Sequence, residues 1–156
     1  MYFFIQFQEK LFLDTDESYR LTMNSPSDDL IQVTIKATNF FGARHALETL
    51  SQLSAYDDES NGLQIITSVD ITDQPSYPYR GLLLDTSRNY FSVANIKKLI
   101  KALSYNKMNT LHWHITDTHS FPIEIKSVPE LQQYGAYDHN KVDNIYFQVG
   151  VKDLII

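Results

Sequence analysis

Gly81-Leu82-Leu83-Leu84 and Thr110-Leu111-His112-Trp113-His114-Ile115-Thr116 bracket the segment whose reading decides the fold. The first run is continuously apolar, the mark of a strand covered on both faces, as in a parallel sheet. Between the two, Ser92 caps a helix whose apolar face is Ile96, Leu99, Ile100 and Leu103; Lys97, Lys98 and Lys101 point to water, and Asn106 stops it. Strand, crossover helix and parallel strand make one βαβ unit over residues 81–116.

Upstream the pattern is different. Tyr2 to Gln8, Ser18 to Met23 and Leu30 to Ala37 are β-rich, and the last alternates Ile31, Val33 and Ile35 against Gln32, Thr34 and Lys36. The turn formers Asn24-Ser25-Pro26-Ser27-Asp28-Asp29 predict a strand-turn-strand pair. A helix capped by Thr38 or Asn39 follows, with Phe41, Ala43 or Ala46, Leu47, Leu50 and Leu53 on one face and an Arg44–Glu48 pair outside, ending near Ala55. Tyr56 to Gly62 reads as an acidic turn and Leu63 to Ile71 as a further apolar alternation. The Pro-punctuated stretch Asp73-Gln74-Pro75-Ser76-Tyr77-Pro78 places a domain boundary there, giving an α+β domain over 1–76 and a second domain over 77–156. Val149 to Ile156 reads as the first turns of another helix.

Composition narrows the function. The 156 residues are 43% hydrophobic and 21% charged, which describes a chain that folds rather than one that stays disordered. A formal charge of -6 with scattered lysines leaves no electrostatic footprint for nucleic acid, so a neutral or polar partner fits better. With no cysteine there is no disulfide scaffold, thiolate zinc site or Cys nucleophile. No apolar run reaches the roughly 18 residues of a membrane span. Met1 to Phe7 lacks a basic n-region and a cleavage site, and so reads as a strand instead of a signal peptide.

In a parallel βα architecture, functional side chains gather where strands end. One strand ends in Asp85-Thr86-Ser87-Arg88-Asn89-Tyr90, the other in Thr116-Asp117-Thr118-His119, and adjacent strands about 4.8 Å apart bring Arg88 and Asp117 to one pocket. A guanidinium that donates beside a carboxylate that accepts suits vicinal sugar hydroxyls. A structural ion pair at a strand end accounts for the same residues equally well. His112 and His114 point to one side of a strand, as two metal ligands would, and with Asp117 they define a metal-hydrolase alternative. Packing around Trp113 favours buried, hydrogen-bonded structural histidines instead. His45 and His139 carry no pattern, and Glu124, Glu130 and Asp138 read as isolated solvated carboxylates.

The stretch from Tyr79 to Tyr90, then Asn109 to Asp117, then Ser120-Phe121-Pro122 resembles glycoside hydrolase family 20, the β-N-acetylhexosaminidases. Asp16-Glu17-Ser18-Tyr19-Arg20-Leu21 and Phe41 to Leu50 are similar to that family's N-terminal α+β domain, so the resemblance covers about residues 10 to 142, and its wording is closest to insect enzymes that trim chitin oligosaccharides. The resemblance implies an α+β N-terminal domain followed by the first, incomplete part of a (β/α)8 TIM barrel. It implies hydrolysis of terminal β-linked N-acetylhexosamine without a metal or other cofactor, by a mechanism in which the substrate's own acetamide oxygen attacks the anomeric carbon. An Asp orients that acetamide and the adjacent Glu protonates the leaving oxygen. Arg88 then matches the family's sugar-gripping arginine, and Asp117 matches a carboxylate that supports the acid through a histidine.

The same resemblance implies GlcNAc-containing oligosaccharides or glycans as partners, a setting in the secretory pathway, and allows a homodimer of a longer parent. The family's Asp-Glu pair and its linking histidine have no counterpart in these residues, and residues 77–156 supply about two and a half βα units of a barrel that needs about 250 residues. The isolated chain is therefore expected to be inactive, and a non-catalytic carbohydrate-binding or interaction module is the alternative. Asp143 to Gly150 departs from the family, and His119 stands where relatives often carry Gln.

Overall fold

The computed structural model describes residues 10–27 and 30–137, and the chain divides after Pro78 into two compact units. The expected strand at Tyr2 to Gln8, the closing helix at Val149 to Ile156, Asp138, His139 and the divergent stretch Asp143 to Gly150 lie outside the described residues.

In the first unit, β1 (Tyr19–Ser27) lies between β2 (Leu30–Ala37) and β5 (Val69–Asp73), antiparallel to both. Leu21 sits opposite Ile35 on one side and Ile71 on the other. The period of two then sends Tyr19, Leu21 and Met23 to one face, where they are buried, and leaves Arg20 exposed. Helix α1 (Phe40–Gln52) supplies Ala46 and Leu50 to the same core, and its C-cap Leu53 packs there as well. Full burial of Leu21 or Met23 is worth about 1.5–3 kcal/mol each.

Several local expectations need correction. The turn formers do not end β1 at Met23: the strand runs on to Ser27, with a bulge between Asn24 and Ser27 that accommodates Pro26, which has no N–H to give a ladder. Asn39 is the cap of α1, its side chain accepting from the Phe41 and Gly42 N–H groups, but the helix ends at Gln52, earlier than expected. Its buried face is Gly42, Ala43, His45 and Ala46, while Leu47 is exposed and Glu48 bonds Gln52 rather than Arg44. Gly42 sets that face: a Cβ there would lie 2.4 Å from the Ser18 carbonyl oxygen, so only glycine lets α1 approach the chain entering β1.

The acidic turn is shorter than expected. Ser54–Asp57 (β3) pairs antiparallel with Gly62–Ile65 (β4), and Asp57 closes the turn by accepting from the Ser60 hydroxyl and the Glu59 N–H. Asn61 takes the left-handed φ of 51° that such a turn requires.

The second unit contains β6 (Gly81–Asp85), helix α2 (Val93–Tyr105) and β7 (Thr110–His114), with β6 and β7 parallel and Asp85 opposite His114. Ser92 caps α2, and Ile96 and Leu103 are its buried residues. The helix ends in a Schellman arrangement in which Met108 N–H donates to the Leu103 carbonyl and Lys107 N–H to that of Ser104, with Lys107 at a φ of 55°. Arg80 ties this end to β6, its Nε donating to the Lys107 carbonyl at 2.8 Å. Leu82 and Leu83 are 37% and 57% exposed, not covered on both faces. A parallel pair needs layers on both sides, and the crossover helix is one. A short helix, α3 (Glu130–Gly135), is tied to the preceding loop by the Phe121 N–H on the Gly135 carbonyl.

Candidate functional site

The ends of β6 and β7 carry the chemistry of the second unit. Thr86 is buried just past β6, where its N–H donates to the His114 carbonyl and its hydroxyl accepts from the Trp113 indole at 2.8 Å. Ser87 is buried as well, and its hydroxyl donates to the Ser120 carbonyl, so the two strand-end loops are joined. These bonds hold the backbone from which Asp85, Arg88 and Asp117 project.

Asp85 closes its own turn. Its Oδ1 accepts from the N–H groups of Ser87 and Arg88 at 3.0 and 3.3 Å, and its Oδ2 accepts from Arg88 Nη1 at 3.0 Å. Asp117 repeats the device one strand over, Oδ1 accepting from the N–H groups of His119 and Ser120 at 2.7 and 3.0 Å. Its Oδ2 lies 3.5 Å from Arg88 Nη2 and 3.5 Å from His114 Nε2. Arg88 is thus held between two carboxylates while its side chain stays 61% exposed.

The electrostatics follow from these bonds. The His119 N–H is the strongest influence on Asp117; with the Ser87 hydroxyl, the Ser120 N–H and His114 it outweighs partial burial and holds the carboxyl down at about 2. For Asp85, desolvation is the largest single influence and pushes the carboxyl up. The Arg88 and Ser87 N–H groups and the charges of Arg88 and His114 outweigh it together, leaving Asp85 below its ordinary value. Both are carboxylates at neutral pH, and the site is a cation between two anions.

The expected juxtaposition of Arg88 and Asp117 is therefore present. The histidines differ from expectation: His112, opposite Leu83, is exposed. His114 is half-buried, and its Nε2 and Asp117 Oδ2 are both enclosed without a hydrogen bond. Among the described residues no three His, Cys, Asp or Glu side chains are grouped to hold a metal ion. Glu130 is exposed and Glu124 half-buried.

Sequence reasoning passed over two features. Asp85 stands in the sequence only as part of a strand-end string, because the Asx turn it closes depends on which backbone N–H groups its carboxylate faces. His45 was given no pattern, yet its Nε2 is 2.6 Å from Glu17 Oε2 with both side chains buried. The spacing Gly42, His45, Ala46 and Thr49 places His45 on the inner face of α1 and was the available signal. A shallow cavity of about 340 Å³ in the first unit is bordered by Arg20, Lys36 and Thr72 and contains none of the strand-end residues.

The described residues include no helix long and apolar enough to cross a membrane. The family model "Glycosyl hydrolase family 20, catalytic domain" matches residues 77–155, and "beta-acetyl hexosaminidase like" matches residues 5–53. The chain is 52% identical over 130 residues to a chitooligosaccharidolytic beta-N-acetylglucosaminidase of Bombyx mori, covering 83% of this chain and 22% of that protein. It is 46% identical over 148 residues to the enzyme of that name from Ostrinia furnacalis, covering 94% and 24%. Among solved structures, the Flavobacterium johnsoniae chitobiase superposes with a TM-score of 0.78 at 34% identity, over 93% of this chain and 20% of that one. The chain thus spans a quarter or less of the length of the curated relatives it matches.

Proposed function

The chain belongs to glycosyl hydrolase family 20, and on that premise we propose that it forms the N-terminal α+β domain (1–76) and the opening of the (β/α)8 barrel (77–156) of a β-N-acetylhexosaminidase. The enzyme releases terminal β-linked GlcNAc from chitin oligosaccharides or related glycans in the secretory pathway. The carrying observation is Arg88 held between Asp85 and Asp117 at the ends of two parallel strands. Ligands of βα barrels bind at that end.

Arg88 grips hydroxyls of the terminal sugar, the uncommitted N–H groups of its guanidinium donating to them. Asp117 acts at one remove. Its Oδ2 is enclosed and takes no hydrogen bond, which suits it to accept the N–H of the histidine that supports the family's catalytic acid. The reaction is substrate-assisted: the acetamide oxygen displaces the leaving oxygen, the acid supplies its proton, and water then opens the cyclised intermediate with retention. The Asp-Glu pair that orients the acetamide and protonates the leaving group comes from a later barrel strand.

The test is a chimera in which residues 79–137 replace the aligned stretch of the Bombyx mori enzyme. The reading requires the chimera to hydrolyse a chromogenic β-N-acetylglucosaminide and the isolated 156-residue chain to be silent. A folded chimera without turnover, or turnover by the isolated chain, contradicts it.

A further inference from the structure

We infer that Asp85 is the positioning residue for Arg88, fixing its guanidinium before any sugar arrives; this rests on the reading of Arg88 as the sugar-gripping residue. A largely exposed arginine carries rotamer entropy that ligand binding must remove unless the protein has removed it already. Asp85 is built for that task. One oxygen is spent on the N–H groups of Ser87 and Arg88, so the carboxylate cannot rotate away, and the other meets Arg88 Nη1 at 3.0 Å. The anchor and the anchored side chain thus share one turn, set at the end of β6 by the buried Thr86 and Ser87.

Asp117 offers the weaker hold, because its Oδ2 stands 3.5 Å from Arg88 Nη2 and is shared with His114. The division of labour is therefore unequal. Asp85 orients Arg88, while Asp117 keeps an oxygen in reserve for a further donor. Among the described residues the charged groups facing Asp85 are Arg88 and His114, with Asp117 across the guanidinium.

The experiment follows the Arg88 Nη1–H signal, the donor to Asp85, by NMR in the isotope-labelled 156-residue chain, the signal being assigned by its loss in Arg88→Lys. In the wild type it should be ordered and slow to exchange. Asp85→Asn keeps an oxygen for the two backbone N–H groups but loses the charge, so exchange should quicken at least tenfold with backbone amide dispersion unchanged. Asp85→Glu should recover part of the protection. A second measurement needs no variant: on acidification, Arg88 should lose order with the midpoint of the Asp85 carboxyl carbon, not that of Asp117. A folded Asp85→Asn with wild-type exchange, or an Arg88 transition that tracks Asp117 alone, overturns the inference. Addition of GlcNAc separates the two ideas. If Asp85 orders Arg88 but GlcNAc never moves that signal in the chimera carrying residues 79–137, where the barrel is complete, the positioning role stands and the sugar-gripping role fails.

Discussion

Arg88 Nη2 and Asp117 Oδ2 lie 3.5 Å apart across the ends of two parallel strands, although 29 positions separate the residues in sequence. Their approach follows from register, because Asp85 at the end of β6 is paired with His114 at the end of β7, and Arg88 and Asp117 each stand three positions beyond these strand-end partners. A slip of the pairing would part them. The site is therefore a property of the βαβ unit as a whole.

Asp117 gives the fold a dependence on acid. Its carboxyl is held at about 2, below the roughly 3.9 of an unfolded Asp. Ionised Asp117 thus stabilises the second unit fully above about pH 4, and that contribution fades as pH falls toward 2. Asp117→Asn should flatten the fall in melting temperature over that interval. Parallel wild-type and variant profiles would refute the assignment.

Gly42→Ala should destabilise the first unit by about 1–3 kcal/mol, as overpacking does. The new methyl would meet the Ser18 carbonyl at 2.4 Å and the Ala37 Cβ at 3.2 Å, and neither is a flexible side-chain end. Denaturant unfolding of the two proteins measures the difference. A change below about 0.5 kcal/mol would show that α1 shifts freely.

Lys107 sits in the left-handed region at the end of α2, where a Cβ is costly and glycine is at home. Lys107→Gly should raise the stability of the second unit by about 0.5–1 kcal/mol, since the Lys107 and Met108 N–H groups keep their bonds to α2 in the variant while the left-handed backbone is relieved of its Cβ. A loss of stability on thermal unfolding would contradict this.

The buried pair of Glu17 and His45 joins the approach to β1 with α1. Removing one partner of a buried hydrogen-bonded pair leaves the other polar group unsatisfied and is far more costly than losing an exposed pair, so His45→Ala should cost on the order of 3 kcal/mol. By contrast, Arg20 and Asp70, both more than half exposed, form a solvent-screened pair whose loss should scarcely register. A double-mutant cycle on each pair makes the comparison, and equal coupling energies would refute the distinction.

Helix α2 was legible because cap, apolar spacing and stop agree locally: Ser92, then Ile96 to Leu103, then Asn106. The inner face of α1 was legible at Ala43, Ala46 and Leu50, but Leu47 was placed on it in error and Gly42 and His45 were missed. Close approach of two backbones, not hydrophobicity, sets that face. Strand β3 went unread because Ser54-Ala55-Tyr56-Asp57 is short and its partner lies beyond an acidic turn. Arg88 and Asp117 could be picked out because strand ends gather function. The anchoring by Asp85 could not, since it depends on which backbone N–H groups one carboxylate oxygen faces, and Glu17 and His45 meet only through the packing of α1.

The most direct test is kcat/KM of the chimera carrying residues 79–137, with Arg88 intact and as Arg88→Ala. Loss of charge-assisted bonds to the sugar should lower kcat/KM at least about 100-fold, equivalent to roughly 2.7 kcal/mol of transition-state binding. A folded Arg88→Ala chimera within about threefold of its parent would contradict the account.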